Sequence, residues 1–316
     1  FPKIMMDYKT IKPGIYFMGN EVLDRFSIFG GASTNKLLDM DISNLQNVNL
    51  IITVNYGKPE TTLQFIKSIP VQKNIELWIE DNQSTSNSFK TLVDAQSKEP
   101  LNISIFPHKQ NHYYWGAFNK GLSRLPERIE DWPRWIIVCN NDILMADDFF
   151  TQLERIDHQQ NCIIAPAILS NEKNKDLNPF FDKPLSRLEK LYYKMVYSNR
   201  LLGRITQKVG SVINKIWRDF RINHRLQRSI YAPHGACMIF SSEFFKKGGY
   251  IDVGFKMFGE ELSTAEIAKQ VGTSIQYHPQ LIVEHTDHYS TGELHWRDLY
   301  NISKETYHYL NKTYQF

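Results

Sequence analysis

Cysteine is scarce in this chain: Cys139, Cys162 and Cys237 are the three in 316 residues. They are odd in number, far apart and each set in an apolar run, so they offer neither a disulfide framework nor metal-ligand spacing. They read as buried free thiols of a reducing compartment. No apolar run reaches the eighteen or more residues of a membrane span, and no signal peptide is recognisable. The Gly-x-Gly-x-x-Gly fingerprint and the P-loop are both missing, which counts against a nicotinamide enzyme and against a nucleoside triphosphatase. Neither charge sign is in excess: Lys and Arg number 37, Asp and Glu 34, for a net +3. Bulk charge therefore points to no particular partner.

What is present suits a packed core. The hydrophobic fraction is 42% and the charged fraction 22%, both near globular averages, and the length allows one large α/β domain or two small ones. Residues 1–47 lack clear periodicity and read as an N-terminal extension. From Asn49 the pattern becomes regular. Short apolar, β-rich runs at 50–54, 75–79, 103–106, 135–139 and 162–165 alternate with segments of helical spacing, opened by Pro59 or by clusters of Ser, Thr and Asn. Such alternation predicts a largely parallel sheet with helices on both faces. The pattern resumes with a strand at 235–240, helices at 242–247 and 261–271, a strand at 274–277 and a C-terminal helix over about 294–309. Polar residues follow the strand ends: Asn55, Asp81, Asn111 and Asp142. In open α/β sheets the ligand crevice lies outside the carboxyl ends of the strands, so these four residues are predicted to share one rim.

One segment departs from the alternation. Residues 183–228 carry twelve Lys/Arg against two acids, an excess of ten positive charges, which leaves the remainder of the chain with seven negative. Helical spacing runs through Leu185, Leu188, Leu191, Tyr192 and Met195, and again through Val212, Ile213, Ile216 and Phe220. A basic amphipathic insertion suits an anionic membrane surface; a solvated helical hairpin packed on the core is the plainer alternative. No nucleic-acid module accompanies the charge, so no nucleic-acid partner is expected.

Four constellations could carry chemistry. Asn140-Asn141-Asp142 follows a buried strand, where a carboxylate suits Mg²⁺ or Mn²⁺; alone it reads more readily as a turn. Glu260-Glu261 stands before a helix, where a general base and a simple helix-dipole preference are both open. His285 lies after the last strand, as a metal ligand or a structural histidine. The run from Asn111 to Gly121 places small residues at a helix start, suited to a phosphate or to close helix packing.

Together and in this order, these segments resemble the family 2 glycosyltransferases of the GT-A fold, and within them the rhamnosyltransferase-like bacterial enzymes. The segments are Ile-Ile-Thr-Val-Asn-Tyr (51–56), Glu-Asp-Asn-Gln-Ser (80–84), Asn-x4-Gly-x2-Asn-x-Gly (111–121), Asn-Asn-Asp (140–142), Gly-Ala-Cys-Met-Ile-Phe (235–240), Phe-Gly-Glu-Glu (258–261) and His285.

The resemblance implies a GT-A catalytic domain over 48–290, with the basic helical insertion inside it, and a C-terminal helical segment over 291–316. It implies that Asn55, Tyr56, Asp81, Asn111, Gly116, Asn119 and Asn141 line the nucleotide-sugar. Asp142, with Asn140 and His285, would hold Mg²⁺ or Mn²⁺; Asn140 stands where the family's Asp-x-Asp pattern has its first Asp. Glu261 would be the catalytic base, with Glu260 as the alternative. The implied activity is inverting transfer of a sugar, rhamnose or another hexose, from a nucleotide-diphosphate donor. The acceptor would be a glycan or lipid-linked glycan of bacterial surface polysaccharide synthesis, met in the cytoplasm at the inner face of the membrane. Two other functions fit the same segments. One is a catalytically inactive carbohydrate- or partner-binding module. The other is a nucleotidyltransferase, which expects a Gly-rich basic loop after the first strand, where this chain has only Gly57 and Lys58.

Overall fold

The computed structural model describes residues 42–170, 175–198, 226–286 and 295–315. Most of the N-terminal extension and the second stretch of helical spacing in the basic insertion (Val212 to Phe220) lie outside the described residues.

The order of elements follows the predicted alternation. Strand β1 (Asn49–Asn55) leads to helix α1 (Pro59–Ser68), β2 (Ile75–Asn82), α2 (Ser86–Gln96), β3 (Asn102–His108), α3 (Tyr113–Leu122) and β4 (Trp135–Asn140). Every residue of β1 is buried, because helices cover both faces of the parallel sheet and a continuous apolar run is what such a strand requires. Pro59 occupies the first turn of α1, where its missing N–H costs nothing. Thr85 caps α2 by accepting a hydrogen bond from the Ser88 amide at 3.3 Å. Helix α3 ends at Leu122, and Leu125 is buried in the turn beyond it.

Beyond β4 come β5 (Ile143–Met145), α4 (Phe149–Glu154), β6 (Ile163–Ser170), β7 (Lys175–Asp176), α5 (Arg187–Ser198), β8 (Arg228–Ile230), β9 (Cys237–Ser241), α6 (Ser242–Lys246), α7 (Glu260–Gln270), β10 (Ile275–His285) and α8 (Trp296–Tyr314). The strands form one sheet in the order β3-β2-β1-β4-β9-β6-β10-β5, with β7 on β6 and β8 on β10. It is largely parallel, as expected. The exception at its centre is β9, antiparallel to both β4 and β6.

Strand β10 corrects the sequence expectation of a short strand at 274–277. It continues to His285, with a register shift between His278 and Ile282. Pro279 and Gln280 interrupt the apolar pattern there, as a bulge does. His285 is therefore held by the sheet rather than by a loop after it.

Two apolar layers cover the sheet. One gathers Trp78, Trp115, Phe118, Phe240 and Tyr277, together with Leu310 and Tyr314 of α8. The other gathers Phe65, Ile79, Ile137, Phe149 and Val283. The three cysteines are buried and free. Each fully buried large apolar side chain contributes about 1.5–3 kcal/mol, so the sheet is a stiff support for whatever its carboxyl ends carry.

Candidate active site

The carboxyl ends of β1 and β2 lie side by side, with Asn55 opposite Asp81. The Asn55 amide donates to Asp81 Oδ1 at 2.7 Å and to Ser84 Oγ at 2.9 Å. Its carbonyl oxygen accepts from the Thr62 hydroxyl at 2.7 Å. Thr62 in turn accepts from the Asn141 amide at 2.8 Å. Ser84 closes the set by donating to Asp81 Oδ1 at 2.5 Å. One chain of hydrogen bonds thus links β1, α1, the turn after β2 and the turn after β4. Buried polar groups left without partners are costly, and a fully paired network holds a single geometry. Burial pushes the Asp81 carboxyl above its ordinary value, and the bonds from Ser84 and Asn55 partly counter it. Tyr56, the next residue after Asn55, is 56% exposed and offers an aromatic face at the rim. Thr62 and Ser84 were not among the sequence candidates.

Asn111, Gly116 and Asn119 sit on or before α3. The helix starts under strain: Tyr113 has φ +59°, a conformation rare for a bulky residue. Three bonds hold it there. Asn111 Oδ1 accepts from the Tyr113 amide at 2.7 Å, the Asn82 amide donates to the Tyr113 carbonyl at 2.9 Å, and Asn82 Oδ1 accepts from the His112 amide at 3.2 Å. Asn111, Gly116 and Asn119 line a cleft together with residues 253–256 and α8. No described hydrogen bond joins them to the Asn55–Asp81 network.

Asp142 and His285 meet where β4 and β10 end, with His285 Nε2 3.4 Å from Asp142 Oδ1 and both side chains 11% exposed. Thr286 ties the two segments, its amide and hydroxyl both donating to the Asp142 carbonyl at 3.0 and 2.9 Å. Asn140 is anchored beside them, its amide donating to the Ala236 carbonyl at 2.9 Å. Among the described residues no three His, Cys, Asp or Glu side chains cluster closely enough to hold a metal by themselves. One carboxylate with one imidazole does not make an all-protein cage. It does fit a hard divalent ion that takes its other oxygens from phosphates and water.

Glu260 and Glu261 open α7. Glu261 is buried at 9% exposure and accepts from the Gly235 amide at 3.2 Å. A Cβ at Gly235 would stand 2.9 Å from Glu261 Oε1 and 3.0 Å from Glu260 Cγ, so only glycine lets this turn approach the carboxylates. The Gly235 carbonyl accepts from the Tyr114 hydroxyl at 3.0 Å, which ties α3 to the same loop. Glu260 Oε2 accepts from the Gly259 amide at 2.9 Å. The preceding Phe258 has φ +67°, a second strained aromatic. Burial and then the neighbouring Glu260 push the Glu261 carboxyl well above its ordinary value; burial also raises Glu260. Two adjacent carboxylates in a dry setting do not both ionise cheaply.

His234 belongs to this neighbourhood and was not a sequence candidate. Its Nδ1 accepts from the Ala236 amide at 3.1 Å, its own amide donates to Asn178 Oδ1 at 2.7 Å, and its ring centroid lies 6.5 Å from that of His285. The one available signal was its place directly before the Gly-Ala-Cys run.

The fold and the rim define an α/β protein of the nucleotide-diphospho-sugar transferase type: a mostly parallel sheet whose carboxyl ends carry a polar pocket, a carboxylate–imidazole pair and a buried acidic pair. Residues 50–249 match the family model described as glycosyl transferase family 2, and the chain belongs to that family. Among solved structures it is similar to "GalNAc-T7 with UDP, GalNAc and Mn2+", with a TM-score of 0.51 at 15% identity, over 84% of this chain and 48% of that one. It is also similar to S. aureus TarS, with a TM-score of 0.46 at 11% identity, over 76% of this chain and 37% of that one. The chain thus spans about half the length of the first of these structures and less of the second. A search of curated proteins finds no match.

Proposed function

We propose that this chain is an inverting glycosyltransferase that moves a sugar, rhamnose or another hexose, from a nucleoside-diphosphate donor to a hydroxyl of a glycan or lipid-linked glycan in bacterial surface polysaccharide synthesis. One observation carries this reading. A single rim gathers a rigid polar pocket, a carboxylate–imidazole pair and a buried carboxylate at a helix start, each on a different strand end or loop.

Asn55, Asp81 and Tyr56 receive the nucleoside, with Asn141 fixing the pocket wall through Thr62, and Asn111, Gly116 and Asn119 line the nucleotide-sugar. Asp142 and His285, with the side-chain carbonyl oxygen of Asn140, would hold Mg²⁺ or Mn²⁺. When bound there, the ion supplies positive charge against the diphosphate oxygens and so favours departure of the nucleoside diphosphate. The GalNAc-T7 structure, of similar fold, contains UDP and Mn2+, which supports this choice of ligands. Glu261 takes the proton of the acceptor hydroxyl as that oxygen attacks the anomeric carbon from the face opposite the leaving group, so the configuration inverts. Glu260 is the alternative base.

The setting we propose is the inner face of the bacterial membrane. No helix among the described residues is long and apolar enough to cross a membrane. Helix α5 instead exposes Leu188, Leu191 and Met195, interleaved with Arg187, Lys190 and Lys194. Such a face suits the boundary between acyl chains and anionic headgroups.

Release of nucleoside diphosphate from a panel of nucleotide-sugars tests the transfer reading. Release that needs both a divalent metal and a glycan acceptor supports it; nucleotide binding with no turnover under any combination overturns it.

A further inference from the structure

Several buried groups hold His234 in place. Asn178, 4% exposed, accepts from the His234 amide through Oδ1 at 2.7 Å and donates through Nδ2 to the Pro166 carbonyl at 2.7 Å. Asp176 Oδ1 accepts from the Asn178 amide at 2.9 Å, and the Tyr277 hydroxyl donates to Asp176 Oδ2 at 2.6 Å. The segment before His234 is pinned as well. The Ala232 carbonyl accepts from the Phe180 amide at 3.1 Å, and the Ala232 amide donates to the Phe181 carbonyl at 2.9 Å. A side chain supported in this way keeps one geometry, which is what recognition of a substrate requires.

The ring's own bond fixes its chemistry. Nδ1 accepts from the Ala236 amide at 3.1 Å, so Nδ1 carries a lone pair, the ring is neutral and the proton sits on Nε2. Two roles are thereby closed. A ring with Nδ1 engaged and a proton on Nε2 has no lone pair to give a metal ion, and an uncharged ring sets no positive charge against a diphosphate. What it offers is one N–H donor, on the ring edge turned away from that amide. An Asn or Ser at this position would close the same short turn onto the amide two residues on; the imidazole adds a second nitrogen farther out.

Its position says what that donor meets. One residue on, the Gly235 amide donates to Glu261 at 3.2 Å. On the other side the ring of His285, which pairs with Asp142, lies 6.5 Å away between centroids. His234 therefore stands between the proposed base and the pair that would hold the ion. In an inverting displacement the base and the leaving group occupy opposite faces of the anomeric carbon, so the sugar in transit lies between the same two points. Phe180, 40% exposed and with its ring 5.8 Å from that of His234, adds aromatic surface beside the donor. Aromatic walls with a few placed polar groups are the usual make-up of a small-ligand site. We propose that His234 is a specificity-determining residue, its Nε2–H donating to a hydroxyl of the sugar being transferred. The inference rests on the transferase reading and adds the group that reads the sugar.

The test uses the whole chain with Mn²⁺. The probes are UDP, GDP and dTDP, each free and as its hexose and deoxyhexose nucleotide-sugars. His234→Asn keeps an acceptor within reach of the Ala236 amide and removes the outer donor; His234→Gln sets an amide N–H near the Nε2 position. In calorimetric titration His234→Asn should bind the free nucleoside diphosphate as the wild type does, with the same metal dependence. Its affinity for the preferred nucleotide-sugar should fall roughly five- to tenfold, the worth of one neutral hydrogen bond, and His234→Gln should keep most of that affinity. The wild type should lose as much when offered the deoxy-sugar that lacks the hydroxyl, and His234→Asn should not tell the two sugars apart. Unchanged nucleotide-sugar affinity in His234→Asn overturns the proposal. So does an equal loss for the free nucleoside diphosphate, which would put His234 on the diphosphate or the ion. Imidazole ¹⁵N NMR of the wild type reads the ring directly, and a protonated or Nδ1–H ring at His234 also overturns it. Failure of every probe to bind the wild type sinks the transferase reading, whereas nucleoside-diphosphate binding with no response to His234→Asn sinks only the role given to His234.

Discussion

At Glu261 the protein sets a carboxylate where burial and a like-charged neighbour both disfavour ionisation. Three outcomes follow for this residue. Glu261→Gln should lower turnover by roughly 10²–10⁴, the usual worth of a general base, with nucleoside-diphosphate affinity unchanged; loss of nucleotide binding in step with turnover would remove Glu261 from the base role. The acid limb of the wild-type rate profile should lie above 4.5, the ordinary value of the group, because the base works ionised. Stability moves the opposite way. With its folded pKa raised, the native state keeps a proton that the unfolded chain releases, so this contribution is complete below 4.5 and is lost as pH rises through the folded value. Urea unfolding at pH 5 and pH 8 should therefore show a smaller fall in stability for Glu261→Gln than for the wild type. At the other end of the rim, Asp142→Ala should abolish the metal dependence of any nucleotide binding; metal-dependent binding that survives rules Asp142 out as a ligand. Asn55, Asp81, Asp142 and Glu261 were legible in the sequence because each follows a strand or opens a helix, where polarity stands out against an apolar run. Thr62, Ser84 and His234 were not, since a hydroxyl or imidazole on an otherwise ordinary segment shows its use only once its partner is brought alongside.

Helix α8 was predicted as a C-terminal helix, but nothing in its sequence announces what holds it. Its Tyr309 and Tyr314 hydroxyls donate to the two oxygens of Asp252 at 2.7 and 2.5 Å, and the Gly254 amide donates to the same carboxylate at 2.9 Å. Gly254 accepts the Tyr309 ring so closely that a Cβ would lie 2.0 Å from it. Thr306 adds a bond to the Met257 carbonyl at 2.8 Å. The helix thereby fixes the loop that leads to Glu260 and Glu261. Tyr314→Phe leaves one oxygen of a buried carboxylate without its donor, and should cost about 1–3 kcal/mol in urea unfolding, with reduced turnover and unchanged nucleotide affinity. An undiminished stability would mean that Asp252 finds a substitute donor. Strand order and direction were readable only where helices alternate with strands, since crossover connections force parallel pairing. The antiparallel placement of β9 follows a long intervening segment that imposes no such rule, and the second half of β10 was hidden by Pro279.

For the whole molecule, charge is segregated rather than balanced: ten positive charges in excess over residues 183–228 offset seven negative elsewhere. Within the described part of that segment, α5 turns Val196 and Tyr197 toward α8, with the Tyr197 ring stacked on Tyr307 at 4.9 Å and the Tyr300 hydroxyl donating to the Val196 carbonyl at 3.0 Å. Its opposite face carries Leu188, Leu191 and Met195 in the open. The packed face and the exposed face thus belong to one helix, and the helix it packs on is the one that fixes the loop before Glu260. A lipid-linked glycan reaching the proposed base Glu261 would bring the anionic membrane surface against α5. Each Lys or Arg near such a surface is worth about 1 kcal/mol, so three on one helix with an apolar stripe suffice for reversible binding. In flotation assays the chain should rise with vesicles containing phosphatidylglycerol, stay down with phosphatidylcholine alone, and be released by high salt, because exposed charges are screened within a Debye length. Leu188→Glu with Leu191→Glu, both at exposed positions, should abolish flotation without lowering thermal stability or nucleotide binding. Flotation that persists in this variant assigns the contact to another surface, and no flotation of the wild type on either lipid leaves α5 as a solvated helix packed on α8.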